Sequence, residues 1–304
     1  MKKLLFVITC FAIAGTQCIK AQSSIAALHH AGKVTLYNGS HLQTVINKAL
    51  AGDTIYLSEG MFGGDVSIEK NRIVMIGTGE RTILTGNVRI SKDGVTISSC
   101  LLEGLNITGG YIWVGPVNGC TISQCQFREI TGIKDDDNSD ILLSRCLCKE
   151  EMNLNLLNHI SVVNSKIAKI TDYCKSASFS NCNIGTVTGW PWHYNSYDGS
   201  RVFMNCIINS WNTNAVATGC LLGPIRDGGL ISYCYTIDED VLNANLDCTI
   251  SDLTDYIGTD GTVVGISGGD IPYTLVPSAP HVSNHIIEVD AENQKLNVTL
   301  TIEN

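Results

Sequence analysis

The chain has 304 residues, 44% of them hydrophobic and 16% charged, with 20 basic against 29 acidic side chains and a formal charge of −9. That balance excludes a general nucleic-acid binder, which needs a basic footprint to displace phosphate counterions. At this length one globular core would be large, whereas a solenoid grows by stacking coils.

Residues 1–21 read as a secretory signal: Lys2 and Lys3, an apolar run from Leu4 to Ala14, then Ile19, Lys20 and Ala21 before a cut ahead of Gln22. The expected location is secreted, on the outer surface or in the periplasm. Removing Lys2, Lys3 and Lys20 takes the charge from −9 to −12, which also penalises polyanionic partners unless a cation or a local basic patch mediates. No later apolar run approaches the ~18 residues of a membrane span. Next, Leu42, Val45, Ile46 and Ala49 fall at helical spacing, which predicts a short amphipathic helix over the first coil of a solenoid. Such a cap covers strand edges that would otherwise be unpaired.

The middle of the chain repeats one short alternating phrase: VTISSCLL, CTISQCQF, ILLSRCLC, ISVVNSKI and ASFSNCNI, with a ladder at Cys100, Cys125, Cys146, Ser165, Cys182 and Cys206 and a looser member at Cys234. The intervals of 25, 21, 19, 17, 24 and 28 residues predict one coil of backbone per repeat and eight or nine coils. Counting from the ladder residue, positions −5, −3, 0 and +2 are mostly small or apolar, for example Val95, Ile97, Cys100 and Leu102, and point inward by the period of two. Position −1 is Ser99, Gln124, Arg145, Asn164, Asn181 and Asn205, which suits a sharp bend. Ile73 to Ile76 and Val88 to Ile90 extend the stack toward the N-terminus.

Eleven cysteines lie beyond the signal. In an exported protein they invite a disulfide framework, but their periodic placement reads better as buried thiols at strand spacing. An odd number leaves at least one unpaired, and no CxxC pair supports zinc. Beyond Tyr235 the ladder fades. Gly258 to Gly269 is Gly-rich, and Pro272, Pro277 and Pro280 break regular structure. Ile286 to Val289 and Leu296 to Ile302 alternate like a hairpin. The expected division is a signal over residues 1–21, a β-helix with its cap over 22–270, and a Pro-containing linker with a terminal hairpin over 271–304.

The helix, then Gly52, Asp53, Thr54, Ile55 and Tyr56, the glycine at 60, and coils with Asn and Cys at the bend resemble the pectin-lyase-like superfamily over roughly residues 40–235. The C-terminal run that begins GISGGDIPYTLVPS resembles the tails of secreted bacterial β-helix proteins. The resemblance implies an all-β, single-stranded right-handed parallel β-helix. It also implies lyases, hydrolases, esterases, epimerases or noncatalytic adhesins, among which fold cannot choose. Lyase-type WIDH and Arg-x-Pro-x-x-Arg segments, the hydrolase NTD, Gly-His-Gly and Arg-Ile-Lys segments and the esterase signatures are absent. No catalytic residue carries over.

The chemistry-bearing candidates are therefore local. Trp190, Trp192, His193, Tyr194 and Tyr197 crowd the segment GWPWHYNSYDG; with Tyr111 and Trp113, four coils away on the same side, they suit stacking on sugar rings, and they equally suit a packed minicore. Asp135, Asp136 and Asp137 offer hard oxygen ligands for Ca²⁺, although an acidic surface turn explains them as well, and no cofactor is required. His193 with Asp198, or Asp140, are the candidate acid–base groups. Arg128 and Lys149, with Glu103 before them, form a basic row that a ladder of opposite charges with Glu129 and Glu150 explains more cheaply. The expected function is a noncatalytic glycan-binding or adhesive scaffold for an extracellular polysaccharide; the alternative is a polysaccharide lyase or glycoside hydrolase.

Overall fold

A computed structural model describes residues 24–92, 95–133, 139–171, 176–188, 201–213, 215–225, 229–277, 281–290 and 295–303. The chain opens with β1 (Ile25–His30), β2 (Lys33–Asn38), α1 (Leu42–Lys48), β3 (Thr54–Leu57), β4 (Gly60–Phe62) and β5 (Val66–Ile68). From β3 onward it winds as a parallel β-solenoid. The first wall stacks ten parallel strands from β3 to Leu230–Ser232. A second sheet runs from β4 to Tyr235–Thr236 and bends along its strands into a second and a third wall. The bends coincide with register shifts between Phe127 and Glu129 and between Cys148 and Met152.

Alternation explains the walls. In the strand Ala177–Ser180, Ala177 and Phe179 are buried while Ser178 and Ser180 face outward. One core runs the length of the stack, from Ala26 and Leu42 to Ala217 and Leu222. Its widest part holds Phe179 stacked on Phe203 at 4.7 Å, with Trp211 edge-on to Phe203 at 5.4 Å.

The corner between the first and second walls carries the repeat signal. Gly104, Gln124, Arg145, Asn164, Asn181, Asn205, Gly219 and Tyr233 all have φ between 43° and 63°, a left-handed turn that costs most L-residues ~1–2 kcal/mol and that Asn tolerates. Each is followed by the ladder residue. The reason for Cys or Ser there is a hydrogen bond: Ser165 Oγ donates to Val163 O at 2.8 Å and accepts from Cys146 N at 3.0 Å. The thiols of Cys125, Cys182 and Cys206 likewise donate to the carbonyl two residues back, each at 3.2 Å. The ten described cysteines are free thiols. Burial raises the pKa of Cys120, Cys125 and Cys148 and lifts Cys146 to about 12.

Three expectations need correction. Cys100 does not stack on Cys125. Leu101 pairs with Thr121 and Glu103 with Ser123, which puts Cys100 beside Cys120 and Leu105 on the rung before Cys125. Ser99 (φ 55°) turns at the preceding corner with Arg72 and Gly119. Val95, expected inside, is exposed. The ladder also has a further rung, Cys220: Cys206 N–H donates to its thiol and Cys220 N–H to that of Cys234, across intervals of 14 residues each. The single interval of 28 residues is two contracted coils, and the first wall therefore counts ten strands.

The Gly- and Pro-rich stretch up to Pro277 lies on the solenoid as a strap. After Thr236 the chain turns back along the corner, opposite to the stacking direction. Asn209 Oδ1 accepts from Val241 N and Leu242 N, Asn205 Oδ1 from Thr259 N, and Asn183 from Ile266 N. Asn181 and Asn164 donate to Asp260 and to Gly268 O, and Gln124 to Val276 O. Close to its end the strap fits against glycines: a Cβ at Gly104 would fall 2.3 Å from Pro277. Val241, Leu242, Leu246 and Val264 cover Ile207 and Leu221 of the second wall in a separate small core. Beyond it, His281–Asp290 and Lys295–Glu303 pair as an antiparallel hairpin, as the alternation predicts.

The N-terminal end is closed. β1 pairs antiparallel to both β2 and β3, while α1 covers β5. Gln43 acts as a substitute strand there: its amide accepts from Ser67 N at 2.6 Å and donates to Ser67 O at 3.1 Å. Lys70 Nζ caps the helix carbonyls of Asn47 and Ala49. Among the described residues no helix is long and apolar enough to cross a membrane.

Candidate functional site

The third wall presents an aromatic pair on its outer face. In the strand Tyr111–Val114 the period of two buries Ile112 and Val114 and leaves Tyr111 and Trp113 half-buried on the outer face. Their rings lie 5.7 Å apart at 23°, stacked, which fixes an aromatic platform at the surface. Cross-strand neighbours extend it. Trp113 sits between Arg89 and Thr131; Tyr111 pairs with Glu129 and Glu129 with Glu151. Lys169 pairs with Thr186, and Thr186 with Ser210. Four strand steps from Tyr111 to Thr186 span ~19 Å.

Arg128 and Lys169 are ion-paired on this face, whereas Arg89, beside Trp113, donates to Ser91 Oγ at 2.6 Å. Arg128 grips Glu150 through Nε and Nη2 at 2.6 and 2.7 Å; the hydrogen bond raises the guanidinium pKa and lowers that of the carboxyl. Lys169 meets Glu151 at 3.3 Å, and Thr171 Oγ1 donates to Glu151 at 2.6 Å. The opposite-charge ladder thus occupies Arg128. Glu103 does not belong to this row, because it lies on the first wall between Ile76 and Ser123.

Of the remaining candidates, only Asp140 falls among the described residues. Asp135, Asp136 and Asp137, and the cluster Trp190, Trp192, His193, Tyr194, Tyr197 and Asp198, lie outside the described residues. The chain leaves the third wall after Ile133 and after Thr188 and re-enters the first with Ser139–Ser144 and Arg201–Met204. Asp140 is exposed on that first-wall strand, on the other side of the corner from Trp113. It lines a shallow groove with Thr121, Leu142, His159, Ser161 and Ser178. Ile141 pairs with Ile160, so Asp140 and His159 are rung neighbours, and Ser178 Oγ bonds Ser161 Oγ at 3.1 Å. Among the described residues the groove is open to solvent.

Two features escaped sequence reasoning. His159, in the left-handed region at φ 57°, joins Asp140 only through the stacking of coils. Arg201 is fully buried in the inward column that Ala177 occupies one coil earlier. Its Nη1 donates to Thr188 O at 3.1 Å and its Nη2 to Thr213 Oγ1, clamping the strand end where the aromatic segment departs. The signal was available: Arg201 stands at position −5 of its repeat, where the other repeats are mostly apolar.

No protein-family model, curated protein or solved structure gives a significant match to the chain.

Proposed function

We propose that this protein is a noncatalytic, extracellular glycan-binding or adhesive scaffold whose third wall contacts carbohydrate. The observation that supports the reading is the stacked Tyr111–Trp113 platform. It stands on a strand of a wall that is long enough for several sugar rings and sets Thr131, Asn153, Thr171, Thr186, Ser210 and Asn212 beside the charged Glu129, Glu151 and Lys169. Aromatic faces supply apolar area for the ring, and neighbouring Thr, Asn and Ser supply hydroxyl partners. An unpaired basic row would have favoured polyanions; here Arg128 is engaged by Glu150, and the reading favours weakly charged glycans. The second reading, a lyase or hydrolase, draws on the groove that brings Asp140 to His159.

One experiment separates them. The mature protein is incubated with a panel of polysaccharides, and both depletion onto the glycan and product formation are scored, with Tyr111→Ala/Trp113→Ala and Trp190→Ala/Trp192→Ala double variants alongside. Retention without product, weakened about tenfold in the Tyr111/Trp113 variant, is expected, since losing aromatic contacts removes on the order of 1–2 kcal/mol. Retention unchanged in both variants overturns the aromatic site. Release of unsaturated products or reducing ends, abolished by Asp140→Asn, establishes the enzyme.

A further inference from the structure

The two ends of the solenoid differ in a way that the glycan reading does not use. At the N-terminal end, β2 is the outermost strand of the first-wall sheet, with Val34 54% and Leu36 67% exposed. At the other end, the last coil Leu230–Ser232 is likewise terminal in the same sheet, with Leu230 57% and Tyr233 85% exposed. Among the described residues neither strand pairs any further. An edge of this kind, apolar and unprotected, is a template for another strand.

Direction and charge select the partner. β2 is antiparallel to β1, which is antiparallel to β3, so β2 runs parallel to every strand of the first wall, Leu230–Ser232 included. A second molecule displaced along the stack axis therefore offers its β2 in the orientation the last coil already uses. Charge is complementary as well. Residues 24–52 contain Lys33, Lys48 and three histidines and no acid, whereas residues 229–242, at the last coil, contain three acids and no Lys, Arg or His. Asp238, Glu239 and Asp240 are exposed where the last coil ends. A contact between two C-terminal ends would bring like charges together.

We propose that this protein associates head to tail with further copies of itself, the first-wall edge at Leu230–Ser232 of one molecule adding to β2 of the next. Such a contact is heterologous and does not close, so it propagates into linear assemblies. Because α1 covers β5 of the third wall and the short turn Gly39–His41 lies against β4 of the second, only one wall continues across the junction. The interface is small and its affinity low, and attraction between the ends is screened by salt.

The test is sedimentation velocity of the full mature protein from micromolar to near-millimolar concentration, at low and high salt. A mean mass that rises with concentration past the dimer, and falls at high salt, is expected. Leu36→Lys disables one end and Leu230→Lys the other; both positions are exposed, so folding is retained, and Val34→Lys and Tyr233→Lys serve as a second pair. Each variant alone should remain monomeric, and an equimolar mixture should form dimers and nothing larger. A monomer throughout the range overturns the proposal. So does a Leu36→Lys variant that still dimerises, which would mean an end-to-end two-fold contact, and so does association untouched by either variant, which would place the contact elsewhere, such as on the terminal hairpin.

Discussion

Asn205 is the position where the backbone and tethering roles of the corner are best separated. It has φ 55° and is 4% exposed, and its Oδ1 accepts from Thr259 N at 2.8 Å and Thr259 Oγ1 at 3.0 Å. Replacing it by Ala forces a Cβ residue without a local polar side chain into the left-handed region, about 1 kcal/mol. It also removes two hydrogen bonds at about 0.5–1.5 kcal/mol each. Asn205→Ala should cost about 2–4 kcal/mol. Asn205→Gly keeps the turn and loses only the bonds, and should cost about 1 kcal/mol less. Urea denaturation measures the difference, and hydrogen exchange reports whether residues 256–269 loosen in both variants. Equal stabilities for Ala and Gly would refute the backbone argument, and unchanged exchange would refute the tether.

Three further outcomes rest on the same kind of reasoning. Ser165→Ala leaves the buried Cys146 N–H without its partner, although Val163 O keeps the Arg145 N–H, and should cost about 1–3 kcal/mol, while Ser165→Cys, which keeps a donor and acceptor, should cost clearly less; equal losses in urea denaturation would remove hydrogen bonding as the reason for Cys and Ser on the ladder. Asp53 is buried, which alone would raise its pKa, but the Leu50 N–H and His30, at 2.7 Å each, together with Lys70 hold it below the usual carboxylate value. Its contribution is therefore present above about pH 4 and lost as pH falls through the lower folded value; the stability gap between wild type and Asp53→Asn should shrink over that acid range, and a gap independent of pH would contradict the assignment. Arg201→Ala should destabilise by about 3–5 kcal/mol and Arg201→Met by much less, because Met keeps the volume without a buried charge; equal thermal shifts would show that the guanidinium contacts to Thr188 and Thr213 matter more than the space they fill.

The walls, the inward columns and the helical cap were legible because each rests on periodicity, which burial of one face enforces. Ile97, Leu102, Ile160, Phe179 and Ile184 are inside, and Leu42, Val45 and Ile46 face the core. The alignment of Cys100 with Cys125 failed because two different corners make the same demand, a left-handed residue before a small one, and VTISSCLL and CTISQCQF look alike while turning at different places. Cys220 was overlooked because the coil length halves there, and length is what a repeat search holds constant. The strap is not legible as one element, its part up to residue 270 falling to the β-helix and the rest to a linker, because glycine and proline report only the loss of regular dihedrals. Its binding to Asn164, Asn181 and Asn205 depends on pairing across 54 to 104 residues, which no local pattern encodes. Of the site, Tyr111 and Trp113 were readable from alternation, whereas the meeting of Asp140 with His159 required the true register.

A solenoid whose coils touch only their neighbours can nucleate anywhere and can peel from either end. The returning strap changes that kinetics. Val276 closes onto Gln124 across 152 residues, so the last contacts to form have the highest loop-closure cost, and the corner asparagines go without these partners until the strap has been synthesised. Pulling on the last coil meets the strap in shear along several rungs at once. Unravelling from the C-terminal side would then begin with a single large event, followed by easy coil-by-coil loss, and a nascent or truncated chain ending before residue 237 would have the soft, unzippable character of an ordinary repeat array.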